Sequence, residues 1–462
     1  MIAQDVLLGR LPAVALKASP EAAIQRGGAA RLVLKVTLVS VIAFEAQTPD
    51  PLMDLGTYIH RGIGSWTGLP IIFSPLELLV VVGLLLALAS AATERRSGAA
   101  SSLGWPVALF LIALVAGFAR GVLGGGDMYV GLWEGRYLLY IPACFAIARI
   151  SLRSAQHVAS LFGTGLVAAT AFAVEGAYRK FGLINPGLLL SSPDLFYEHD
   201  DVIFLATFLI FALSAFIFRT AGRIRLLSMV AAPVLMFTLL ASNRRSGIIV
   251  LLVGLLVTAL TLLVVRRKAF FIGMIPALVA IVAYLGVFWD ASGTLGQPAR
   301  ALRSLYEPDA RDASSNLYRL LETYNINVTI HSDPILGVGF GREFIVEATL
   351  PDLSWWPFWR FETHNNVLWM WMKTGVYGYV AFWALLGTAM SRAAYSAKRV
   401  ADPRLKSAAL FSLVALVGIL VYGYVDLAFV SGRITVLLGT VLGVIAVLPR
   451  ADAKRVVGEP SA

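Results

Sequence analysis

A single cysteine, Cys144, lies inside an apolar run, so the chain has neither a disulfide framework nor a cysteine-based metal site. Charge is scarce as well. Only 14% of the 462 residues are Asp, Glu, Lys or Arg, too few to give a soluble protein of this length a polar surface. Apolar residues make up 58% and the mean hydropathy is +0.77, against about 45–50% apolar in soluble domains. Lipid must therefore solvate much of the chain. No repeat period or low-complexity tract appears, which withholds support from solenoids and inverted-repeat carriers. A net charge of +10 would suggest nucleic acid in a soluble protein. Here the basic residues sort by membrane side, so no nucleic-acid partner is expected.

A helix needs about 17 to 25 apolar residues to cross the hydrocarbon. Twelve runs are candidates, near 32–46, 72–92, 105–123, 134–150, 157–177, 201–219, 226–241, 246–265, 269–289, 365–388, 407–427 and 433–449. The first is the weakest, being short and carrying Lys35. Loops that stay in the cytoplasm collect Lys and Arg. Alternate loops do so, with Arg95-Arg96, Arg149 and Arg153, Arg219 to Arg225, Arg266 to Lys268, Arg392 to Lys406, and Arg450 to Arg455. The opposite turns hold few. This places both termini in the cytoplasm, and the basic N-terminal stretch reads as a signal anchor.

The expected fold is thus an all-α polytopic integral membrane protein with about twelve transmembrane helices. Its parts are a cytoplasmic segment 1–31, spans one to nine over 32–289, a loop over 290–364, spans ten to twelve over 365–449 and a tail 450–462. The 290–364 loop is the only sizeable extramembrane region, and its parity places it outside. Its aromatics and hydrophobics argue against disorder, so it reads as functional and partly helical.

Several residues sit where a purely structural reading is strained. Arg244-Arg245-Ser246-Gly247 interrupts two apolar runs in an outer turn. Two arginines there either snorkel to lipid phosphates or clamp an anionic ligand, since guanidinium pairs bidentately with phosphate. Within the loop, Ser315 to Thr329 reads as an amphipathic helix with Leu317, Leu320, Leu321 and Tyr324 on one face and Arg319 off it. Pro334 to Gly341 is glycine-rich but lacks dinucleotide-fingerprint spacing, and reads as tight turns allowing close approach to the membrane or a substrate. Thr363-His364-Asn365-Asn366 opens the tenth run. His364 is either an interfacial cap or a base for a sugar hydroxyl, with Asn365 or Asn366 holding its tautomer or binding the sugar. The stretch Ser354 to Phe361, which includes Trp359, is an interfacial belt, a platform for sugar rings, or both. Glu198-His199-Asp200-Asp201 has the residue types of a metal cluster without the spacing of one, so no metal site and no cofactor are expected.

Taken in order, these features resemble the O-antigen ligase and polymerase superfamily of bacterial cell-envelope glycosyltransferases. The resemblance rests on the outer-turn Arg-Arg-Ser-Gly, the loop Arg319, the stretch Asp333 to Gly341 and His364-Asn365, and is firmest from about 226 to 390. It implies a fold like the GT-C lipid-linked glycan transferases. It also implies inverting, metal-independent transfer from an undecaprenyl diphosphate-linked glycan donor to an acceptor hydroxyl on the periplasmic face of the inner membrane. The acceptor is a lipid A core in a ligase and another lipid-linked glycan in a polymerase, with ligation to protein a rarer third case. By position His364, Arg319 and Arg245 match the family's catalytic residues, and Arg244, Asn365, Asn366 and Trp359 are candidates for substrate binding. Which of the two adjacent arginines faces the cavity stays open.

A transporter or lipid-linked glycan flippase is the alternative from another class. Such proteins place charge within their spans, and here the spans show few charged residues, among them Lys35, Arg120, Glu175 and Asp426. A structural assembly subunit is a further alternative and predicts tolerance of His364→Ala.

Overall fold

The computed structural model describes residues 20–44, 55–68, 73–93, 102–185, 198–220, 222–291 and 293–456. The first 19 residues, the outer edges of the runs at 45–46 and 72, the Arg95-Arg96 loop and the last six residues of the tail lie outside them. The described chain is all-helical: α1 Pro20–Ala43, α2 Leu55–His60, α3 Gly64–Thr67, α4 Pro75–Thr93, α5 Gly104–Leu123, α6 Met128–Ser151, α7 Ala155–Tyr178 and α8 Asp201–Ile217. There follow α9 Arg223–Ala241, α10 Arg245–Val265, α11 Arg267–Phe288, α12 Gln297–Arg303, α13 Ala310–Ser332, α14 Asn366–Arg399, α15 Pro403–Val425 and α16 Gly432–Val456.

Each of the twelve apolar runs falls on one of the long helices. Among the described residues, 8 helices are long and apolar enough to cross a membrane. Of the other four, α8 is only 17 residues long, while α1, α6 and α14 carry charged residues such as Lys35, Glu134 and Lys373. The chain is a multi-pass membrane protein. Its centre is formed by α8, α15 and α16, most of whose apolar side chains are buried. α16 packs on α6 and α15, and α15 on α14, α8 and α10. The periphery is the reverse. α11 packs mainly on α10 and buries nothing of its apolar window, so its Ile272, Ile275 and Val282 face outward as a lipid-solvated helix requires.

Side-chain caps set where several helices begin. Asp127, Ser154, Asp309, Asn365 and Asp402 each accept a hydrogen bond from a backbone N–H in the first turn of the helix that follows.

The segment after α13 is threaded between helices. Val338 N–H donates to Met372 O at 2.9 Å and Gly339 N–H to Lys373 O at 3.2 Å, both on α14. Phe340 N–H reaches Gly117 O of α5 at 3.2 Å, and Asp127 N–H closes on Gly341 O at 2.8 Å. Such close backbone contact needs glycine twice over. Gly337 and Gly339 have φ of +71° and +88°, and a Cβ on Gly339 would lie 2.2 Å from Gly121 N. α14 opens at Gly375 (φ 65°, ψ −174°) to receive the segment, and Val376 N–H donates to Pro334 O there. An ion pair between Arg120 of α5 and Asp333, at 2.8 Å, pins the end of α13 to the bundle. The close approach expected of this segment is made to neighbouring helices.

Candidate active site

α13 starts five residues before the expected helix and ends three after it. Its buried residues are Glu322, Asn325, Ile326, Thr329 and Ile330. Leu317, Leu320 and Tyr324 face outward, Leu320 being 67% exposed, while Leu321 is half-buried against the core. The apolar stripe expected to pack is therefore rotated away. The reason is polar: Asn325 donates to Ala348 O and accepts from Glu347 and Ala348 N–H, Thr329 accepts from Ile345 N–H, and Glu322 binds the residue preceding Asn365.

That residue is His364. Its backbone N–H donates to Glu322 Oε2 at 2.7 Å, and its Nδ1 lies 3.2 Å from both carboxylate oxygens. Tyr318, one turn earlier on α13, sets its ring edge-to-face on the imidazole at 5.5 Å. Burial acts against the charged imidazole, but the hydrogen bond and charge of Glu322, helped by Asp426, outweigh it and hold His364 above the ordinary histidine value. Arg319 is close enough to act in the opposite direction. It has no ion-pair partner among the described residues, and its Nε is buried without a hydrogen bond. A half-buried guanidinium beside a carboxylate-held histidine is a site for an anion next to a base.

Across from α13 lies the turn after α15. Asp426 sits close enough to raise His364 and accepts from His199 Nδ1 at 2.9 Å. Arg244 belongs to the same neighbourhood. Burial presses its pKa down while Tyr422, Asp426 and Asp201 push it up. Arg245 pairs with Asp312 of α13, the helix that carries Arg319 and Glu322, at 3.2 Å and reaches Ser304 after α12. The two arginines thus differ: Arg244 lies with Asp426, and Arg245 ties α10 to the loop helices.

Asn365 accepts from Leu368 N–H as the α14 cap. Asn366, fully buried, donates to Thr363 O at 2.6 Å and accepts from Phe429 N–H at 2.6 Å. Both amides hold backbone and so shape the site. Trp359 is half-buried against the core with Arg360 over its ring at 4.7 Å. No hydrogen bond or ring contact joins it to His364 among the described residues. Neighbouring Phe358 stacks on Trp133 of α6 at 5.2 Å, so the aromatic stretch docks the loop on the bundle.

The carboxylates of the 198–201 stretch gather on Arg433 of α16. Asp201 approaches it at 2.5 Å, Asp200 at 2.8 Å and Glu198 at 3.7 Å, and the guanidinium also donates to Val41 O. Behind the His364 segment lies a second buried charge group. Lys373 pairs with Glu134 at 2.8 Å with both side chains fully buried, and donates to Arg342 O, while Glu134 accepts from Gly341 N–H. Glu362 lies nearby. Burial first, then the charge of Glu134, carry its carboxyl well above the usual carboxylate range.

Sequence reasoning missed Glu322 and gave Asp426 no role in the site. The signal for Glu322 was its place one turn beyond Tyr318 on an amphipathic helix, an acid amid positions that pack. Asp426 gave a weaker one, an acid within an apolar run.

Residues 230–383 match the family model described as O-Antigen ligase. That range contains Arg244, Arg245, Arg319, Glu322, Trp359, His364, Asn365 and Asn366. No curated protein matches the chain.

Proposed function

We propose, from the match of residues 230–383 to the family model described as O-Antigen ligase, that the chain is an inverting, metal-independent glycosyltransferase of the O-antigen ligase and polymerase superfamily. It moves a glycan from an undecaprenyl diphosphate carrier to an acceptor hydroxyl, that of a lipid A core or of another lipid-linked glycan. The observation that carries this reading is His364, held by Glu322 next to Arg319, which has no ion-pair partner among the described residues, inside the family-matched region. On this reading all twelve long helices span the inner membrane in a GT-C-like arrangement. Both termini are cytoplasmic, and the 290–364 loop closes the site on the periplasmic side.

The chemistry follows from charge placement. When the acceptor oxygen attacks the anomeric carbon, the bond from that carbon to the carrier phosphate breaks and the diphosphate takes the electron pair. Arg319 and Arg244 stabilise the charge it gains, which lowers the barrier where the interaction strengthens in the transition state. These guanidinium groups supply the positive charge that a metal ion supplies elsewhere. The hydroxyl proton passes to His364, whose Nδ1 is held by Glu322 so that Nε2 is the accepting atom. Attack opposite the leaving group inverts the anomeric centre. No cofactor is required, since the diphosphate linkage is already activated.

The test is transfer by the purified protein in nanodiscs from an undecaprenyl diphosphate glycan, with and without a lipid A core, beside Arg319→Ala and His364→Ala. Product on the core identifies a ligase, and lengthened carrier-linked glycan without it a polymerase. Wild-type activity in both variants overturns the site. Movement of intact lipid-linked glycan across the bilayer without transfer overturns the enzyme.

A further inference from the structure

The site holds a second histidine paired with a carboxylate. His199 Nδ1 sits 2.9 Å from Asp426 Oδ2, and its side chain is 55% exposed, against 22% for His364. The two histidines hang on one short turn. Asp426 N–H continues α15 onto Tyr422 O, Leu427 N–H returns to Asp426 Oδ1, Phe429 N–H meets Asn366 beside His364, and Ser431 donates to Asp200 beside His199. Arg433 fixes Asp200 and Asp201 from below. His199 is thus held by its ring and by the backbone on either side, yet remains open.

Both histidines are held by carboxylates, but the guanidinium groups beside them differ. Arg319, next to His364, has no ion-pair partner among the described residues. His199 lies among Glu198, Asp200, Asp201 and Asp426, four carboxylates against the guanidinium groups of Arg433 and Arg244, so a further anion is disfavoured there and the hydroxyls of a neutral sugar are favoured. A proton on Nδ1, donated to Asp426, leaves Nε2 as an acceptor.

We propose that His199, oriented by Asp426, is an acceptor-side specificity residue whose Nε2 takes a hydrogen bond from a hydroxyl of the acceptor glycan. The assignment rests on the transferase reading above. It sets an acceptor contact at His199 apart from the diphosphate contact at Arg319, with His364 between them.

Steady-state transfer by the full chain in nanodiscs tests it, with donor and acceptor varied separately. His199→Ala is expected to raise the acceptor KM about tenfold while kcat and donor KM stay within about twofold, the pattern of a lost binding contact. His199→Gln, which keeps an acceptor atom, is expected to recover part of the loss. An unchanged acceptor KM in His199→Ala overturns the proposal, as does a collapse of kcat at constant KM. Saturation-transfer NMR with methyl glycosides of common hexoses and heptose is read in parallel on the same nanodiscs. A wild-type signal lost in His199→Ala supports the subsite even if no transfer occurs, which would count against the enzyme reading alone. No signal in the wild type overturns the subsite.

Discussion

Glu322 binds His364 twice, taking the backbone N–H at 2.7 Å and facing Nδ1 at 3.2 Å, so one buried carboxylate fixes both the position of the histidine and its tautomer. Burial alone would lower the pKa of His364, and Glu322 reverses the direction. A histidine raised in the folded state stabilises the fold below its unfolded value and loses that contribution as pH rises through the raised one. On the proposed mechanism the reaction needs the neutral base, so the rate should climb as pH passes upward through that same value. In Glu322→Gln the raising charge is gone and the acid limb of the pH–rate profile is expected to shift to lower pH. kcat should fall about tenfold to a hundredfold as orientation is lost. A profile recorded on both proteins checks this, and an unshifted acid limb would show that Glu322 does not act through His364.

Arg319 is expected to contribute through charge and through shape. With no counter-ion among the described residues and a buried Nε, it is free to receive phosphate oxygens. Arg319→Ala should lower kcat about a hundredfold or more, the scale of one oxyanion donor. Arg319→Lys should restore only part of that, since a point charge does not reproduce a bidentate fork. Transfer rates at saturating donor decide.

Arg244 and Arg245 are neighbours in sequence with different expected phenotypes. Arg245 makes a partly exposed ion pair with Asp312, of a kind worth about 0.2–1 kcal/mol. Arg245→Ala should therefore loosen α13, with faster amide exchange there and a modest loss of rate, and Asp312→Ala should copy it. Arg244→Ala, beside Asp426, should cost about a hundredfold in rate without changing exchange in α13. Exchange mass spectrometry alongside transfer assays separates the two, and equal behaviour would merge their roles.

The helices were legible because lipid imposes one requirement, a long apolar run with satisfied backbone, and all twelve runs became helices. α13 was legible as a helix but not in its orientation. Leu317, Leu320 and Tyr324 share a stripe, yet Glu322, Asn325 and Thr329 decide which side packs because each has a partner more than ten residues away. The same limit hid Asp426, whose partner His199 lies in another part of the chain. Arg319 and His364 were singled out from residue type and order. What joins them is a pairing across the fold, which no local pattern contains.

The glycines at 337 and 339 give a sharp structural test. Gly339→Ala would place a methyl 2.2 Å from Gly121 N in a backbone conformation that L residues rarely adopt. Neither clash involves a flexible side chain, so the threaded segment must leave its groove. The expected outcome is loss of the monodisperse peak in detergent size-exclusion chromatography. Gly293 has a similar φ of +86° with nothing within 4 Å, so Gly293→Ala should cost only the backbone strain of about 1 kcal/mol and keep the peak.

Lys373 and Glu134 test what holds α14 against α6. Both side chains are fully buried, and Glu134 also receives Gly341 N–H while Lys373 donates to Arg342 O, so the pair fastens the threaded segment as well as the helices. Removing one partner leaves an uncompensated charge in a dry interior. Lys373→Met alone is expected to destabilise by about 3–5 kcal/mol, with a large fall in the detergent melting temperature. The deficit should be greatest where Glu134 is forced to ionise, so acidification should restore part of it. Replacing both, with Glu134→Gln added to Lys373→Met, should recover most of the stability because no charge is left unpaired and the Gly341 N–H keeps an acceptor. Melting curves of the two single variants and the double complete the cycle, and a double variant as unstable as the sum of the singles would show that the two residues act independently.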